Sequence, residues 1–292
     1  MGLLSGLEKL GLGKLQNVDL YEKPEEKKEE KKEHKEEQKE AKAAVTAPEF
    51  REQDCIFDRL YDCPVCGGKK ARGKTVKSGK TRLVRQDVDL CAVYEPFDPL
   101  KYDVISCPEC GYTALARYFK TITPVQIKAV KENISQSFQP STEEDKREIY
   151  TYEDALERYK LSLVNTVVKK GKASEKAYTC LKTGWLLRSY YNSLGEDADE
   201  AKKKEMKEQE REFLKNALDG FITARQSEDY PMCGMDEITV EYLIGVLAME
   251  FEQYDVASKM ISSVLVSPNA NARMKDRARD VKDMIVARSK KN

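Results

Sequence analysis

Two short motifs of the same form constrain this chain more than any other feature of its sequence. They read CPVCG at residues 63–67 and CPECG at residues 107–111. Two residues between the cysteines let both thiolates face one ion, the proline stiffens the turn, and the following glycine can adopt a positive φ. Two such knuckles supply tetrahedral sulfur coordination. The sequence therefore predicts a metal site formed by Cys63, Cys66, Cys107 and Cys110.

The ion predicted for this site is one structural Zn²⁺ per chain. Four thiolates saturate zinc, whereas catalytic zinc keeps a position open for water or substrate. An iron or iron–sulfur site and a redox dithiol are the alternatives, and the redox alternative is weaker because a thioredoxin-like motif uses a single CxxC in a βαβ context. The forty residues between Cys66 and Cys107 exceed the spacing of about 15–20 typical of compact ribbons, which predicts an extra hairpin between the knuckles.

The charge balance and the apolar runs limit the classes of function open to the chain. Its 292 residues suffice for about two domains. The 51 basic residues equal the 51 acidic ones in number, so no net field attracts the whole chain to nucleic acid or to a membrane. The apolar runs fall short of the roughly 20 residues that cross a bilayer. We therefore expect a soluble, cytoplasmic protein.

The sequence offers no recognisable catalytic constellation. Its one histidine, His34, lies in a charged tract, so no His-based triad is expected in a folded part. Four carboxylates, Asp87, Asp89, Asp98 and Asp103, are the remaining candidates for acid–base or metal chemistry, but such residues are more often surface or turn positions. We predict no catalytic residues and a protein that is not an enzyme.

The four cysteines outside the knuckles have no CxxC partner. In a long chain with two CxxC pairs, reduced thiols are expected rather than a disulfide framework. We interpret Cys55, Cys91 and Cys180 as small buried apolar residues. Cys233 lies in a Pro-Met-Cys-Gly turn and is expected to be the most exposed of the four.

Changes in composition divide the chain into three parts. Residues 1–48 are predicted to be an N-terminal docking segment, with leucines at roughly helical spacing, followed by a flexible linker at residues 22–42 that is almost entirely Glu and Lys. Residues 49–123 contain short apolar alternations between Gly, Pro and Asp, which predict the strands of a zinc-ribbon-like domain. Residues 124–292 have the long amphipathic pattern of a helical domain.

A basic stretch without acidic residues lies inside the predicted zinc-ribbon-like domain. Such a stretch can contact phosphates, and this is the basis of an alternative nucleic-acid function. The stretch lacks aromatic residues for base stacking and contains Gly73, Ser78 and Gly79, so a mobile solvated loop is the preferred interpretation. Its basic residues are Lys69, Lys70, Arg72, Lys74, Lys77, Lys80, Arg82 and Arg85.

The helical domain shows the spacing of a tetratricopeptide-like array. Small or apolar residues recur at i, i+4 and i+7, most fully around Ala257, where a small residue lets a paired helix approach closely. First helices of the pairs are predicted at residues 173–191 and 236–251, and a polar-faced last helix at residues 271–288, with a charged insertion at residues 196–210. A plain helical bundle is the alternative.

The first helices would line the concave face of such an array, where a partner protein binds. Arg and Tyr side chains dominate contacts of this kind, whereas surface lysines usually add little. The alternative for the tyrosines is packing between repeats. The predicted partner-binding residues, taken as exposed, are Lys182, Arg188, Tyr190 and Tyr191.

The order of these motifs resembles an uncharacterised bacterial family, domain of unknown function 2225. The resemblance covers about residues 59–285 and rests on CPVCG, RLVRQDVD at residues 82–89, PLKYDV at residues 99–104, CPECGY and the helical YLIGVL at residues 242–247. It implies a zinc-ribbon-like part, a tetratricopeptide-like part and no catalytic residues. The chain departs from the pattern at residues 68–70, where GKK replaces an expected aromatic residue, and in its N-terminal extension.

Together these features predict an α+β, mostly helical protein with a small zinc-ribbon-like β module before a tetratricopeptide-like helical array. The first functional hypothesis is a zinc-binding cytoplasmic scaffold or adaptor whose helical array binds an unidentified protein partner. The alternative is a nucleic-acid-associated zinc-ribbon protein that uses the basic stretch.

Overall fold

The computed structural model describes residues 3–15, 20, 50–139, 147–195 and 198–290. The predicted linker at residues 22–42 lies outside these described residues. The strands are β1 (Ile56–Tyr61), β2 (Ala71–Val76), β3 (Arg82–Gln86), β4 (Ala92–Glu95), β5 (Val104–Ser106) and β6 (Thr113–Leu115). The helices are α1 (Pro124–Val130), α2 (Tyr152–Val168), α3 (Ala173–Ser193), α4 (Glu200–Ser227), α5 (Glu237–Glu250), α6 (Tyr254–Val266) and α7 (Ala272–Ser289).

The strands form one four-stranded sheet and one separate hairpin. The sheet is antiparallel in the order β1-β2-β5-β6, and β1 pairs with β2 along its whole length, from Ile56 opposite Val76 to Tyr61 opposite Ala71. Strands β3 and β4 pair only with each other among the described residues. They lie between the two knuckles in the chain, so the extra hairpin expected from the long spacing is present.

Side-chain caps fix where several helices begin. Thr123 and Thr151 each accept a hydrogen bond from a backbone N–H three residues on and form capping boxes that start α1 and α2. Asp236 and Asn271 cap α5 and α7 in the same way, without the reciprocal bond. A charged insertion was expected at residues 196–210, but most of this segment is the first part of α4, which begins at Glu200. The Asp199 carboxylate caps this helix by accepting the Ala201 N–H.

One hydrophobic core runs through both the strand-rich and the helical parts. Buried Ile105 and Ala114 of the sheet belong to the same cluster as Leu161 of α2 and Leu187 of α3. Helix α2 lies against β5 and β6, and the buried Arg158 guanidinium donates to the Val104 carbonyl over 3.0 Å. The core is therefore continuous across the predicted boundary at residues 123 and 124.

The N-terminal segment packs against this core. Its leucines at positions 4, 7, 10 and 12 are buried, and Leu7 is fully shielded from solvent. The Gln139 N–H donates to the Leu10 carbonyl over 3.1 Å, and Lys9 pairs with Glu157 of α2 over 2.7 Å. Burial of the leucines, rather than regular helix, holds this glycine-interrupted segment in place.

The fold class predicted from the sequence is confirmed, because a small antiparallel sheet region precedes a helical array and helix predominates. Helices α3, α5 and α7 lie where helices were expected. The zinc-ribbon-like and tetratricopeptide-like descriptions, and the division into three parts, stay predictions. No helix among the described residues combines the length and apolar character needed to cross a membrane.

Candidate metal centre

The two knuckles have the same local structure. In each one the glycine after the second cysteine has a positive φ, +76° at Gly67 and +72° at Gly111. The N–H groups of these glycines donate to the carbonyls of Cys63 and Cys107 over 2.9 and 3.0 Å. Each turn therefore curls its two cysteines toward the same side, as the CPxCG motif predicts.

The four sulfurs converge on one point. The Cys63 and Cys110 Sγ atoms are 3.6 Å apart, those of Cys66 and Cys107 are 3.7 Å apart, and all four lie within 4.8 Å of one another. Zn–S bonds of about 2.3 Å in a regular tetrahedron place the sulfurs about 3.8 Å apart. The four cysteines therefore fit a single tetrahedral metal ion.

Hydrogen bonding between the thiols perturbs their ionisation. Bonds from the Cys107 and Cys110 thiols, opposed by burial, lower the pKa of Cys63 to about 4. Bonds with Cys107 and Cys63, together with burial, raise the pKa of Cys110. Of these two cysteines, the thiolate is therefore favoured at Cys63, and a bound cation would supply the positive charge that four metal-ligating thiolates need.

The outer side of the cluster is open to solvent at Cys66. The Gly68 N–H points at the Cys66 Sγ atom over 3.4 Å. Glu109 approaches the same sulfur, and Lys70 pairs with its carboxylate over 3.2 Å. The lysine partly offsets the repulsion between that carboxylate and a thiolate.

The inner side is anchored to helices by an amide that sequence analysis did not single out. The Asn165 Nδ2 atom of α2 donates to the Gly111 carbonyl over 3.0 Å and to the Leu161 carbonyl over 2.9 Å. The Ser135 hydroxyl donates to the Cys110 carbonyl over 2.9 Å. A polar residue within an apolar helical run is the sequence signal that marks Asn165, because buried polar groups need partners.

A cluster of charged residues fastens the β3–β4 hairpin to the helices. The Arg188 guanidinium donates to both carboxylate oxygens of Asp89 and, over 2.7 Å, to Glu210 of α4. The indole N–H of Trp185 also donates to Asp89, over 3.0 Å. Burial lowers the pKa of Arg188, but the attraction of these carboxylates raises it by more, so the pKa lies above its usual value. The arginine predicted to be an exposed partner contact is therefore a half-buried internal link.

The other three predicted partner-binding residues are not freely exposed either. Lys182 pairs with Asp103, and its side chain is 14% exposed. Tyr190 is buried and stacks on Tyr152 at a ring-centroid distance of 5.1 Å, and Tyr191 is half-buried. The expectation of exposure was wrong because α2 and α4 pack against α3, and Asp89 in the hairpin turn binds Arg188.

The basic stretch runs through β2 and β3, which a turn at residues 77–81 connects. Lys74 is buried and pairs with Asp58 across the β1–β2 pair. The other recorded pairings join Lys70 to Glu109, Lys77 to the Asp54 carbonyl, Arg82 to Glu95 and Arg85 to Asp87. Lys69 and Lys80 are exposed and Arg72 is half-buried. The loop interpretation is wrong for residues 71–76 and 82–85, which pair as strands, whereas Ser78 and Gly79 do lie in the connecting turn. Mobility of that turn and phosphate binding stay untested predictions.

The cysteines outside the knuckles are mostly core residues. Cys55, Cys91 and Cys180 are buried, as expected, and burial raises the pKa of the Cys91 and Cys180 thiols. Cys233 is half-buried, which makes it the most exposed of the four, as expected, and its thiol donates to the Ser174 carbonyl over 3.2 Å. Burial also raises the pKa of Cys233, which keeps this thiol in its less reactive form.

The four carboxylates considered for acid–base chemistry have structural partners. Arg188 binds both Asp87 and Asp89, and Lys182 binds Asp103. Asp98 accepts the Leu100 N–H over 2.9 Å and caps a short 3-10 turn.

Fold and site together define an α+β protein in which two cysteine knuckles form a site that can hold one metal ion. The chain belongs to the family described as an uncharacterized protein conserved in bacteria, domain of unknown function 2225, whose model matches residues 56–285. The match confirms the resemblance found in the sequence. Comparison with curated proteins gives no match, and comparison with solved structures gives none.

Proposed function

We propose that this protein is a zinc-binding cytoplasmic scaffold that captures an acidic amphipathic segment of another protein. The capture site is the helical groove, which we define as the cavity between the β3–β4 hairpin and helices α3, α4 and α5. One observation carries the proposal, namely that this groove measures about 710 Å³ and combines an apolar floor with two exposed cations at its rim, Lys207 and Arg211. Of the acidic lining residues, Asp87, Asp89 and Glu210 are bound to Arg188, and Glu250 pairs with Arg288.

The floor of the helical groove is closed by apolar core residues, Leu214 of α4 and Val246 and Leu247 of α5. The apolar surface open to a ligand comes from Val88 in the hairpin turn, which is 41% exposed, and from the half-buried Phe251 at the end of α5. An amphipathic helix buries its apolar side chains in a groove of this kind, and each buried methylene contributes about 0.8 kcal/mol.

The rim of the helical groove favours acidic residues. Lys207 and Arg211 are exposed on α4, and Arg211 lies over the Phe251 ring at 4.8 Å. Arg188 is already bound to Asp89, whereas no carboxylate pairs with Lys207 or Arg211 among the described residues. A segment with acidic side chains beside its apolar face fits both features.

Zinc has a structural role in this proposal. Four sulfurs at tetrahedral spacing leave no open coordination position, and sulfur ligands in this geometry favour zinc. The ion would hold the knuckles that Asn165 and Ser135 fasten to the helices, and so would fix the hairpin side of the groove. Reduced cysteines and a sulfur-ligated metal suit a reducing compartment, which is why we place the protein in the cytoplasm.

Affinity purification of full-length protein from its native host tests the proposal. We expect a co-purifying protein whose binding is lost on the double change Lys207→Glu and Arg211→Glu. The matched control is Lys259→Glu with Arg273→Glu, two exposed residues on α6 and α7. The captured segment, made as a peptide, should bind purified wild type and the control equally.

Two results would contradict the proposal. Equal capture by the groove variant and the control would exclude the helical groove. Co-purifying nucleic acid that is lost on changing Lys69, Lys70 and Lys80 to Gln would favour the alternative phosphate-binding function of the basic stretch, with binding that weakens steeply as salt increases.

A further inference from the structure

A second cavity, distinct from the helical groove, lies where the four-stranded sheet, the β3–β4 hairpin and helix α3 meet. It measures about 490 Å³. This volume falls within the range of about 300–1,000 Å³ of small-molecule sites. We call it the sheet cavity, and neither the metal centre nor the proposed capture of a protein segment uses it.

The sheet forms the floor of this cavity. Arg59 and Tyr61 of β1 lie opposite Gly73 and Ala71 of β2, so their side chains share one face of the sheet. A Cβ atom at Gly73 would lie 3.0 Å from the Ile105 side chain and 3.3 Å from the Tyr61 ring. Because Gly73 has no side chain, Ile105 and Tyr61 pack close to the strand, and no side chain at this position projects into the cavity.

Four aromatic side chains from three different elements line the cavity. Tyr61 comes from β1, Tyr94 from β4, and Tyr178 and Trp185 from α3. All except the more deeply buried Trp185 are half-exposed, so their ring surfaces are available to a ligand. Aromatic side chains prefer offset-stacked or edge-to-face contact with other planar rings. The walls therefore suit a flat, apolar or aromatic body.

The cations of the cavity are not equally available. Lys182 is held by Asp103, and Lys74 is held by Asp58. Arg59 is exposed, its guanidinium lies 5.3 Å from the Tyr61 ring, and no carboxylate pairs with it among the described residues. One planar, permanently charged donor group thus remains beside the aromatic walls. A guanidinium binds a carboxylate through two parallel hydrogen bonds.

We propose that the sheet cavity binds a small planar aromatic molecule that carries one anionic group, such as an aromatic carboxylate. The ring system lies among Tyr61, Tyr94, Tyr178 and Trp185, and the anion contacts Arg59 at the edge. A bound ligand of this kind touches the sheet, the hairpin and α3 at once, so it stabilises the contact between the strand-rich and helical parts.

The chain provides its own reporter for a test, because Trp185 is its one tryptophan. A ¹H–¹⁵N spectrum of the full-length, zinc-loaded protein contains a single indole N–H signal. 2-Naphthoate is the probe, and neutral 2-naphthamide has the same ring without the charge. We expect naphthoate to shift the indole signal saturably and to bind about 10-fold more tightly than the amide, as for a charged hydrogen bond of about 1.4 kcal/mol.

Variants distinguish the anion site from general apolar binding. Arg59→Gln should reduce naphthoate affinity to that of the amide, whereas Arg279→Gln on the exposed face of α7 should leave it unchanged. Ala92→Phe should fill the cavity and abolish binding of both probes while the other amide signals keep their wild-type dispersion.

Three outcomes would overturn the proposal. Absence of an indole shift at millimolar naphthoate would exclude the cavity as a site for this class of ligand. Equal affinity for acid and amide in wild type, or unchanged naphthoate affinity in Arg59→Gln, would show that Arg59 selects no anion. Capture of a protein segment in the helical groove is unaffected by any of these results.

Discussion

The guanidinium of Arg188 donates one hydrogen bond to each carboxylate oxygen of Asp89, over 3.0 and 2.8 Å. Asp89 lies in the turn of the β3–β4 hairpin, and Arg188 lies on α3. The Asp89 side chain is 7% exposed, so little water is available to replace the arginine. The pair therefore joins the hairpin to the helical array through two residues that are ninety-nine positions apart in the chain.

Arg188→Ala should destabilise the fold by about 3 kcal/mol, because removing one partner of a buried pair leaves an uncompensated charge. Urea unfolding measures this loss. The control Arg211→Ala removes an exposed arginine from α4 and should change stability by less than about 0.5 kcal/mol. A stable Arg188→Ala variant that loses only partner capture would restore the role first predicted for this residue.

Purified protein should contain one zinc ion per chain, measured by metal analysis. Cys107→Ser should lose the ion to a competing chelator, because Cys107 supplies one of four converging sulfurs. Cys233→Ser, which changes a cysteine outside the cluster, should keep it. Full zinc retention in the Cys107→Ser variant would argue against four-sulfur coordination.

Asn165→Leu should weaken the metal site without changing a ligand. The substitution removes the donor to the Gly111 carbonyl, and we expect a loss of about 1–3 kcal/mol and a metal affinity about 10–100-fold lower. Chelator competition and urea unfolding measure the two effects. Asn216→Ala removes an equivalent bond to the Glu212 carbonyl on the exposed face of α4 and is the matched control. Equal behaviour of the two variants would show that the knuckle does not depend on α2.

Leu7→Ala should destabilise the protein by about 2–5 kcal/mol, because the leucine is fully buried and its truncation leaves a cavity. Leu60→Ala, at a site that is 61% exposed, should cost less than about 0.5 kcal/mol. Thermal or urea unfolding of full-length protein compares them. If Leu7→Ala matches wild type, the N-terminal segment contributes no packing energy.

Asp98→Asn should make the protein more stable than wild type, by an amount that grows as pH rises. Burial raises the pKa of Asp98 above its usual range. A raised pKa contributes stability that is full below the ordinary carboxyl pKa and is lost as pH rises through the value in the folded state. Asparagine keeps the acceptor for Leu100 and stays neutral, so its free energy of unfolding should rise relative to that of wild type as pH increases above about 4, the ordinary carboxyl pKa.

The control for this pH series is Asp199→Asn, which has the same kind of cap bond, to Ala201, at an exposed position. Its difference from wild type measures the effect of the same substitution on an exposed helix cap. A stability difference for Asp98→Asn that is constant across the series would mean that the folded state does not favour the protonated carboxyl.

The sequence alone determined the features that depend on neighbours along the chain. The CPxCG spacing fixes both knuckles, because proline, glycine and two intervening residues set the turn wherever it occurs. Apolar periodicity likewise located α3, α5 and α7, and the change of period from strands to helices gave the fold class. The forty residues between Cys66 and Cys107 exceed the spacing of a compact ribbon, and this excess predicted the extra hairpin.

Only the tertiary structure decided which side chains remain free. Lys182 and Arg188 carry charge and lie on a helix, a pattern typical of solvent exposure, yet Asp103, just before β5, and Asp89, in the hairpin turn, bind them in the folded chain. Lys74 is buried too, and the pairing of β2 with β1 places it opposite Asp58. Sequence periodicity identifies the apolar face of a helix, but long-range packing determines what covers its polar face, and that packing also created both cavities.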